Sequence, residues 1–372
     1  MPKYENFLRS AILREVPSSE SSNIDQSLPL AGLRIVLNAG NGSGYFFNKI
    51  LQDLGADVSN SIHLTPDGTF PPKTGVPNPE YSAMIDETTA VCEACEADIG
   101  IMLDTDADRC GFVVPTSSSG KENGAVQYEA LNRNRLIALL AVIFQSSSPG
   151  CTFVTDSVTS EGLASFLKNL GLNHVRYLKG YANVIGKARE LTESGKALAE
   201  VAIETSGHCA MRENGYLDDG TYTAVKVIGL LARVSRSKSK NGEGRMSLLD
   251  LISELDEKEE VQELRMDVSD GSLDTTNLIF QTIVKLIETG CADENKGWEL
   301  DTDNLEGVRV RIGDGGFFML RKSLHDPIIS LQVEGSSVQS IRDNVVSPIL
   351  ACFQVEDCEL SSSINISCLT DY

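Results

Sequence analysis

The 372-residue chain reads as an α/β protein, with two α/β domains on mixed sheets followed by a smaller α+β domain. Three observations predict this. Short β-branched runs alternate with amphipathic stretches from about Leu30, the same alternation restarts near Gly150, and near residue 262 it gives way to closely spaced strands. A chain of this length exceeds one ordinary core, which agrees with several domains.

Residues 1–29, rich in serine and charge, are expected to form a short helix and then a flexible lead-in, with order beginning near Leu30. In the domain expected at 30–149, GLRIVLN reads as a strand, GYFFNKILQDLG as a helix, ADIGIMLD as a strand and YEALNRNRLIALLAVIFQ as a helix. Such alternation implies a mostly parallel sheet flanked by helices. The run Asn38-Ala39-Gly40-Asn41-Gly42-Ser43-Gly44 fails the dinucleotide fingerprint, because Tyr45 occupies the third glycine position counted from Gly40. It reads as a tight strand-to-helix turn, and the proline-rich LTPDGTFPPKTGVPNPE as an extended loop.

In the domain expected at 150–261, CTFVTD, HVRYLKG and LAEVAIE read as strands, and SEGLASFLKNLGL and YANVIGKARELTESG as helices. A long helix is expected from Asp219 to Arg236, then a loop or hinge at SRSKSKNGEGR, then a helix around Met246 to Glu260. In the domain expected at 262–372, VQELRMDV, GVRVRIG, GFFMLRKS and PIISLQVEG read as strands interleaved with helices at Thr276 to Thr289 and Ser337 to Phe353.

The balance of 53 acidic against 32 basic residues gives a formal charge of -21, which disfavours nucleic acid and anionic membrane surfaces as partners. Small phosphorylated ligands stay open, since a few local cations, backbone N–H groups and bound metal hold them whatever the overall field. The apolar run Leu136 to Phe144 is far short of the ~20 residues a membrane span requires. Nine scattered cysteines and an N-terminal stretch without an apolar signal region point to reduced thiols in the cytoplasm or another reducing compartment such as a plastid. Cys92 and Cys95 form a C-x-x-C that reads as two small residues on one helical face.

The strongest chemical signal is Asp104-Thr105-Asp106-Ala107-Asp108-Arg109, directly after the apolar strand Ile99 to Leu103. Carboxylates at i, i+2 and i+4 converge only if the chain curls, and hard oxygens at that density suit Mg²⁺. An EF-hand is excluded, because its glycine position holds Arg109 and its glutamate position Pro115. Two other readings stay open: a solvated acidic turn, and a haloacid-dehalogenase type of phosphatase, although Asp108 stands where that motif has threonine or valine.

A second constellation, Glu204-Thr205-Ser206-Gly207-His208, also follows a strand. A carboxylate and a hydroxyl two residues apart can read vicinal sugar hydroxyls; the plainer alternatives are a Ser-Gly turn and a satisfied loop histidine. The third is Arg321-Lys322-Ser323-Leu324-His325-Asp326-Pro327, whose cations, hydroxyl and loop N–H groups suit a phosphate dianion.

In this order the segments resemble the α-D-phosphohexomutases. VLNAGNGSG and PDGTF…VPNPE are similar to that family's second-domain opening, and ADIGIMLDTDADRCGFV to its magnesium loop. ETSGH followed by YLDDGTYTA resembles its third-domain sugar loop, and RKSLHDP a degraded phosphate loop. The resemblance implies intramolecular phosphoryl transfer on hexose phosphates through a bisphosphate, with Mg²⁺ held by Asp104, Asp106 and Asp108 and the transferring phosphate stabilised by Arg109. It implies sugar contacts from Glu204, Ser206 and His208, and a non-reacting phosphate on Arg321 and Ser323.

The sequence departs from the family in several places. Its serine loop T-A-S-H-N-P does not occur, its third-domain lysine falls at Val158, and its K-x-G-H histidine falls at Tyr181. Leu324, His325 and Asp326 stand where glycine, threonine and glutamate are usual. The phosphoserine is therefore expected from a partner subunit or a longer form of the chain. The alternatives are a non-catalytic sugar-phosphate-binding regulator and a Mg²⁺-dependent phosphatase.

Overall fold

The computed structural model describes residues 1–16, 27–71, 75–116, 126–241, 247–291, 297–323, 326–353 and 363–372. They divide into two compact units. The first holds Met1–Thr155, Phe166–Val175 and Gly180–Leu255, and the second Asp156–Ser165, Arg176–Lys179 and Asp256–Tyr372. This grouping differs from the three expected segments: the first two cluster together, and residues 156–165, 176–179 and 256–261 of the middle one group with the C-terminal residues.

The chain begins with α1 (Pro2–Glu15), β1 (Ile35–Asn38), α2 (Phe46–Asp53), α3 (Ser82–Cys95), β2 (Ile99–Leu103), β3 (Cys110–Pro115), β4 (Tyr128–Leu131) and α4 (Arg133–Ser147). The first sheet has the order β1-β2-β3-β4. β1 and β2 run parallel with Leu37 opposite Ile101, whereas β2–β3 and β3–β4 are antiparallel. The sheet is thus less parallel than the alternation implied. Only residues 104–109 separate β2 from β3, too few for a crossover. Tyr128–Leu131, expected to open a helix, instead pairs with β3, and the helix starts at Arg133.

Next come β5 (Thr152–Asp156), α5 (Glu161–Asn169), β6 (Asn173–Tyr177), α6 (Tyr181–Glu193), β7 (Ala199–Ile203), β8 (Cys209–Met211) and α7 (Gly220–Asn241). The second sheet has the order β6-β5-β7-β8, with β5–β7 parallel and β7–β8 antiparallel. α7 runs on through part of the expected hinge, since no glycine or proline interrupts SRSKSKN before Gly242. Residues 242–245 of that hinge, and Met246 after it, lie outside the described residues.

Two other expectations fail in the first unit. Order begins at Pro2 rather than near Leu30, because α1 buries Leu8, Ala11 and Ile12, and Phe7 stacks on Tyr222 of α7 with centroids 5.6 Å apart. The Tyr4 hydroxyl also donates to Asp219 at 2.6 Å. Around Met246 to Glu260 only a 3-10 turn forms, Leu248–Ile252. Leu248, Ile252 and Leu255 are buried at helical spacing, but Glu254, Asp256, Glu257 and Glu259 are exposed and offer no packed face for further turns.

The second unit contains β9 (Glu260–Asp267), α8 (Leu273–Cys291), β10 (Glu299–Leu300), β11 (Val308–Arg311), β12 (Phe317–Lys322) and β13 (Ile328–Gly335). Its antiparallel sheet has the order β10-β11-β12-β13-β9. Val310, Phe318, Leu331 and Val333 form a core with Ile279, Ile283 and Ile287 of α8. The helix expected at Ser337 to Phe353 is split into α9 (Val338–Ile341) and α10 (Ser347–Phe353) by a π turn at Arg342–Val346. Pro348 has no amide to offer Asn344, and the freed Asn344 carbonyl accepts from Trp298 Nε1 at 2.7 Å. A short α11 (Ser367–Thr370) follows near the C-terminus.

Candidate functional site

Asp104 follows the last residue of β2 and is 1% exposed. Ala107 takes the left-handed conformation at φ 65, and this curls residues 104–108 back on themselves. Asp104, Asp106 and Asp108 thereby bring carboxylate oxygens within 4.8 Å of one another. Asp104 accepts from the Arg109 amide at 3.1 Å and from Arg109 Nε at 2.7 Å, so the guanidinium is tethered beside the loop. Asp108 Oδ1 is buried without a hydrogen-bond partner among the described residues. Burial and then the Asp104 charge push the Asp108 carboxyl up to about 7, against an opposing pull from His208. Carboxylates clustered in this way could hold a metal ion.

The glycine-rich turn after β1 supports this loop from below. Gly42 lies so close that an added Cβ would stand 2.6 Å from the Thr105 carbonyl, and the Ser43 amide donates to that same carbonyl at 2.8 Å. The turn reading thus holds, and the absent side chain at Gly42 is what admits the acidic loop.

The second constellation joins the first directly. Arg109 and His208 pair as an isolated antiparallel bridge, the Cys110 amide donates to the Gly207 carbonyl at 3.3 Å, and the Gly220 amide to the Ala107 carbonyl at 3.0 Å. Gly207 sits at φ 97 with the Cys110 carbonyl 2.8 Å from where its Cβ would be, so both conformation and space require glycine. Glu204, 5% exposed, accepts from the Gly180 amide at 2.6 Å through Oε1, and Ser206 Oγ lies 3.4 Å from its Oε2.

His208 is bonded through Nδ1 to Asp218 at 2.8 Å and stands 3.5 Å from Asp108. Burial is the largest single influence and lowers the His208 pKa. The Asp218 hydrogen bond and the surrounding Asp218, Asp108 and Glu204 charges outweigh it and leave the pKa raised. Asp108, His208 and Asp218 form a second group with atoms close enough to share a cation.

In the second unit, Arg321 on β12 donates from Nη2 to Glu263 of β9 at 2.5 Å. Ser323 Oγ accepts from the Asp326 amide at 3.1 Å. Leu324 and His325 lie outside the described residues. Val158 is 5% exposed and clusters with Phe317 and Met319, an apolar setting in which a lysine ammonium would be desolvated. Cys92 is fully buried and its thiol is pushed up to about 12 by that burial, consistent with a packing role.

Asp218 and Gly180 carry no role in the sequence reading, and Tyr181 enters it only at the place of the family's K-x-G-H histidine, yet all three lie within the first-unit cluster. Asp218 and Asp219 are adjacent and divide their work: Asp219 caps α7 by accepting from the Tyr222 amide at 2.9 Å, while Asp218 faces His208. An acidic pair just ahead of a helix glycine was the available signal, but it does not say which of the two points inward.

The fold and its strand-end loops define a three-sheet α/β protein that gathers carboxylates, an arginine and a histidine where two mixed sheets meet. Residues 14–120 match the family model of the phosphoglucomutase/phosphomannomutase alpha/beta/alpha domain II, and residues 132–251 that of domain III. The chain belongs to the phosphoglucomutase/phosphomannomutase family. It is 25% identical to a phosphomannomutase/phosphoglucomutase of Pseudomonas putida, over 84% of this chain and 59% of the relative. It is 27% identical to a probable phosphoglucosamine mutase of Methanopyrus kandleri, over 87% of this chain and 63% of the relative. The chain thus spans about three-fifths of the length of these relatives.

Among solved structures, a phosphoglucomutase/phosphomannomutase family protein of Burkholderia thailandensis shares the fold with a TM-score of 0.68 at 23% identity, over 94% of this chain and 65% of that one. The N-acetylphosphoglucosamine mutase of Aspergillus fumigatus, solved in complex with GlcNAc-6P and magnesium, gives a TM-score of 0.56 at 13% identity, over 94% of this chain and 64% of that one.

Proposed function

We propose that the first-unit cluster binds a hexose phosphate together with Mg²⁺ and serves intramolecular phosphoryl transfer. One observation carries this reading: the acidic loop and the Glu204–His208 loop are hydrogen-bonded to each other, so carboxylates for a metal and groups for a sugar occupy one cluster. The names of the similar proteins support the same chemistry, as does the magnesium and GlcNAc-6P complex of a structural neighbour.

Asp104, Asp106 and Asp108 fit a small hard cation, since their oxygens converge and Asp108 Oδ1 has no hydrogen-bond partner among the described residues. When bound, Mg²⁺ would supply charge neutralisation for a transferring phosphoryl group. Arg109, tethered by Asp104, orients a guanidinium for the same group. Glu204, held by the Gly180 amide, would accept from a sugar hydroxyl. His208, held by Asp218, is placed to donate or accept a proton at its other ring nitrogen. The phosphoserine would come from a partner subunit or a longer form of the chain.

Calorimetric titration with glucose 1-phosphate and glucose 1,6-bisphosphate, with and without Mg²⁺, tests the reading. Binding is expected to depend on Mg²⁺, and to weaken roughly tenfold or more in Asp106→Asn and in Glu204→Ala, the loss of one charged contact. Binding indifferent to both substitutions and to the metal would refute it.

A further inference from the structure

Tyr181 is the first residue of α6 and is 51% exposed. A single exposed aromatic is ordinary on a protein surface. This one is anchored in the cluster: its ring stacks on the His208 imidazole with centroids 5.1 Å apart and an interplanar angle of 27°. Its preceding residue, Gly180, donates its amide to Glu204 Oε1 at 2.6 Å, and φ 113 at Gly180 turns the chain so that α6 begins there. The same short segment therefore fixes a carboxylate and presents a half-open aromatic face beside it.

A hexopyranose has an apolar C–H face and a rim of hydroxyls. A protein surface that matches it needs a flat aromatic ring for the first and oriented carboxylates or hydroxyls for the second. We propose that the Tyr181 ring is a stacking platform for the sugar ring of the bound hexose phosphate, with Glu204 and Ser206 taking hydroxyls at its rim. This deepens the sugar-phosphate reading above and rests on it. His208 backs the platform: it is held by Asp218 on one side, and the phenol ring lies across its face. The role belongs to the ring rather than to the phenol hydroxyl.

The experiment is calorimetric titration of the full chain with glucose 1-phosphate in Mg²⁺, using Tyr181→Ala, Tyr181→Phe and Glu204→Ala, with inorganic phosphate as a probe that has no sugar ring. Thermal unfolding of each variant serves as a check on folding, which the half-exposed position of Tyr181 should leave unchanged. Tyr181→Ala is expected to weaken glucose 1-phosphate binding about tenfold, the scale of one aromatic contact, with Tyr181→Phe within about twofold of the parent. Inorganic phosphate binding should be the same in all of these proteins. If Glu204→Ala weakens the sugar phosphate while Tyr181→Ala does not, the platform is overturned and the site reading stands. Equal losses in Tyr181→Ala and Tyr181→Phe would assign the effect to the hydroxyl and also overturn it. A loss for inorganic phosphate matching that for glucose 1-phosphate would show that Tyr181 supports the anion site instead. If neither Glu204→Ala nor Tyr181→Ala alters binding, or no binding occurs, the site reading fails and the platform falls with it.

Discussion

Glu334 on β13 is 2% exposed, and its Oε1 is buried with no hydrogen-bond partner among the described residues. Burial pushes its carboxyl up to about 7, against the pull of the Arg309 charge. The folded chain therefore holds this proton more tightly than the unfolded chain does, and the linked stability is fully present below the ordinary value of 4.5. It is lost as pH rises through about 7. Glu334→Gln, which stays neutral, should match the parent in acid and become the more stable protein at alkaline pH, the gap opening by at most about 1.4 kcal/mol per pH unit. Urea midpoints at several pH values on both sides of that window check this; a gap that does not change with pH would contradict it. At this scale the sequence was informative where one residue type has one use. That Asp104, Asp106 and Asp108 converge after an apolar strand was legible, and the structure brings their carboxylates together. Asp218 was not legible, because its position against His208 depends on the bridge between two loops about a hundred residues apart in the chain.

Among the elements, α1 shows how a polar-looking segment becomes part of a core. Glu15 at its end pairs with Lys226 and with Arg233 of α7, and Lys226 itself is only 3% exposed. The two helices approach closely at Gly229, where a Cβ would stand 2.5 Å from that of Glu15. Glu15→Ala should destabilise the first unit by about 1–3 kcal/mol, because the buried Lys226 ammonium would lose one of its two carboxylate partners among the described residues and keep Glu213. A lowered denaturation midpoint with little change in slope is the expected readout. A short helix was expected here, but its packing was not legible, because charges that pair across α1 and α7 look solvated when read along the sequence. The β3–β4 hairpin was missed for a related reason: YEAL precedes a strongly helical run and takes strand form only through its pairing with β3.

Taken whole, the chain contains a second unit that is discontinuous in sequence, and Arg309 holds its pieces together. Its guanidinium is fully buried, donates to the Ser157 and Thr159 carbonyls at 2.9 Å each and to Glu161 at 2.9 Å, and lies 3.4 Å over the Phe317 ring. The Ser157 hydroxyl and the Lys179 amide both donate to Glu306 as well, at 2.5 and 2.8 Å. Residues 156–161 and 176–179 are thereby fixed to the strands of the C-terminal sheet. Arg309→Leu should cost about 2–5 kcal/mol, since the Ser157 and Thr159 carbonyls lose this buried donor, while Glu161 keeps Arg176 and Arg311. Urea unfolding followed by the fluorescence of Trp298, which belongs to the same unit, would show an early transition.

The sequence by itself determined the alternation of strand and helix, the acidic loop after β2, the glycine turn beneath it and the family to which the segments belong. These are local: each follows from apolar periodicity, or from residue types whose backbone or charge admits few uses over a handful of positions. Only the tertiary structure decided that α1 is packed, that Asp218 rather than Asp219 faces His208, that Val158 sits in an apolar cluster, and that Tyr181 lies flat on an imidazole. Each of these depends on which distant residue comes alongside, and such long-range pairing is set by burial and hydrogen bonding across the fold, not by spacing along the chain.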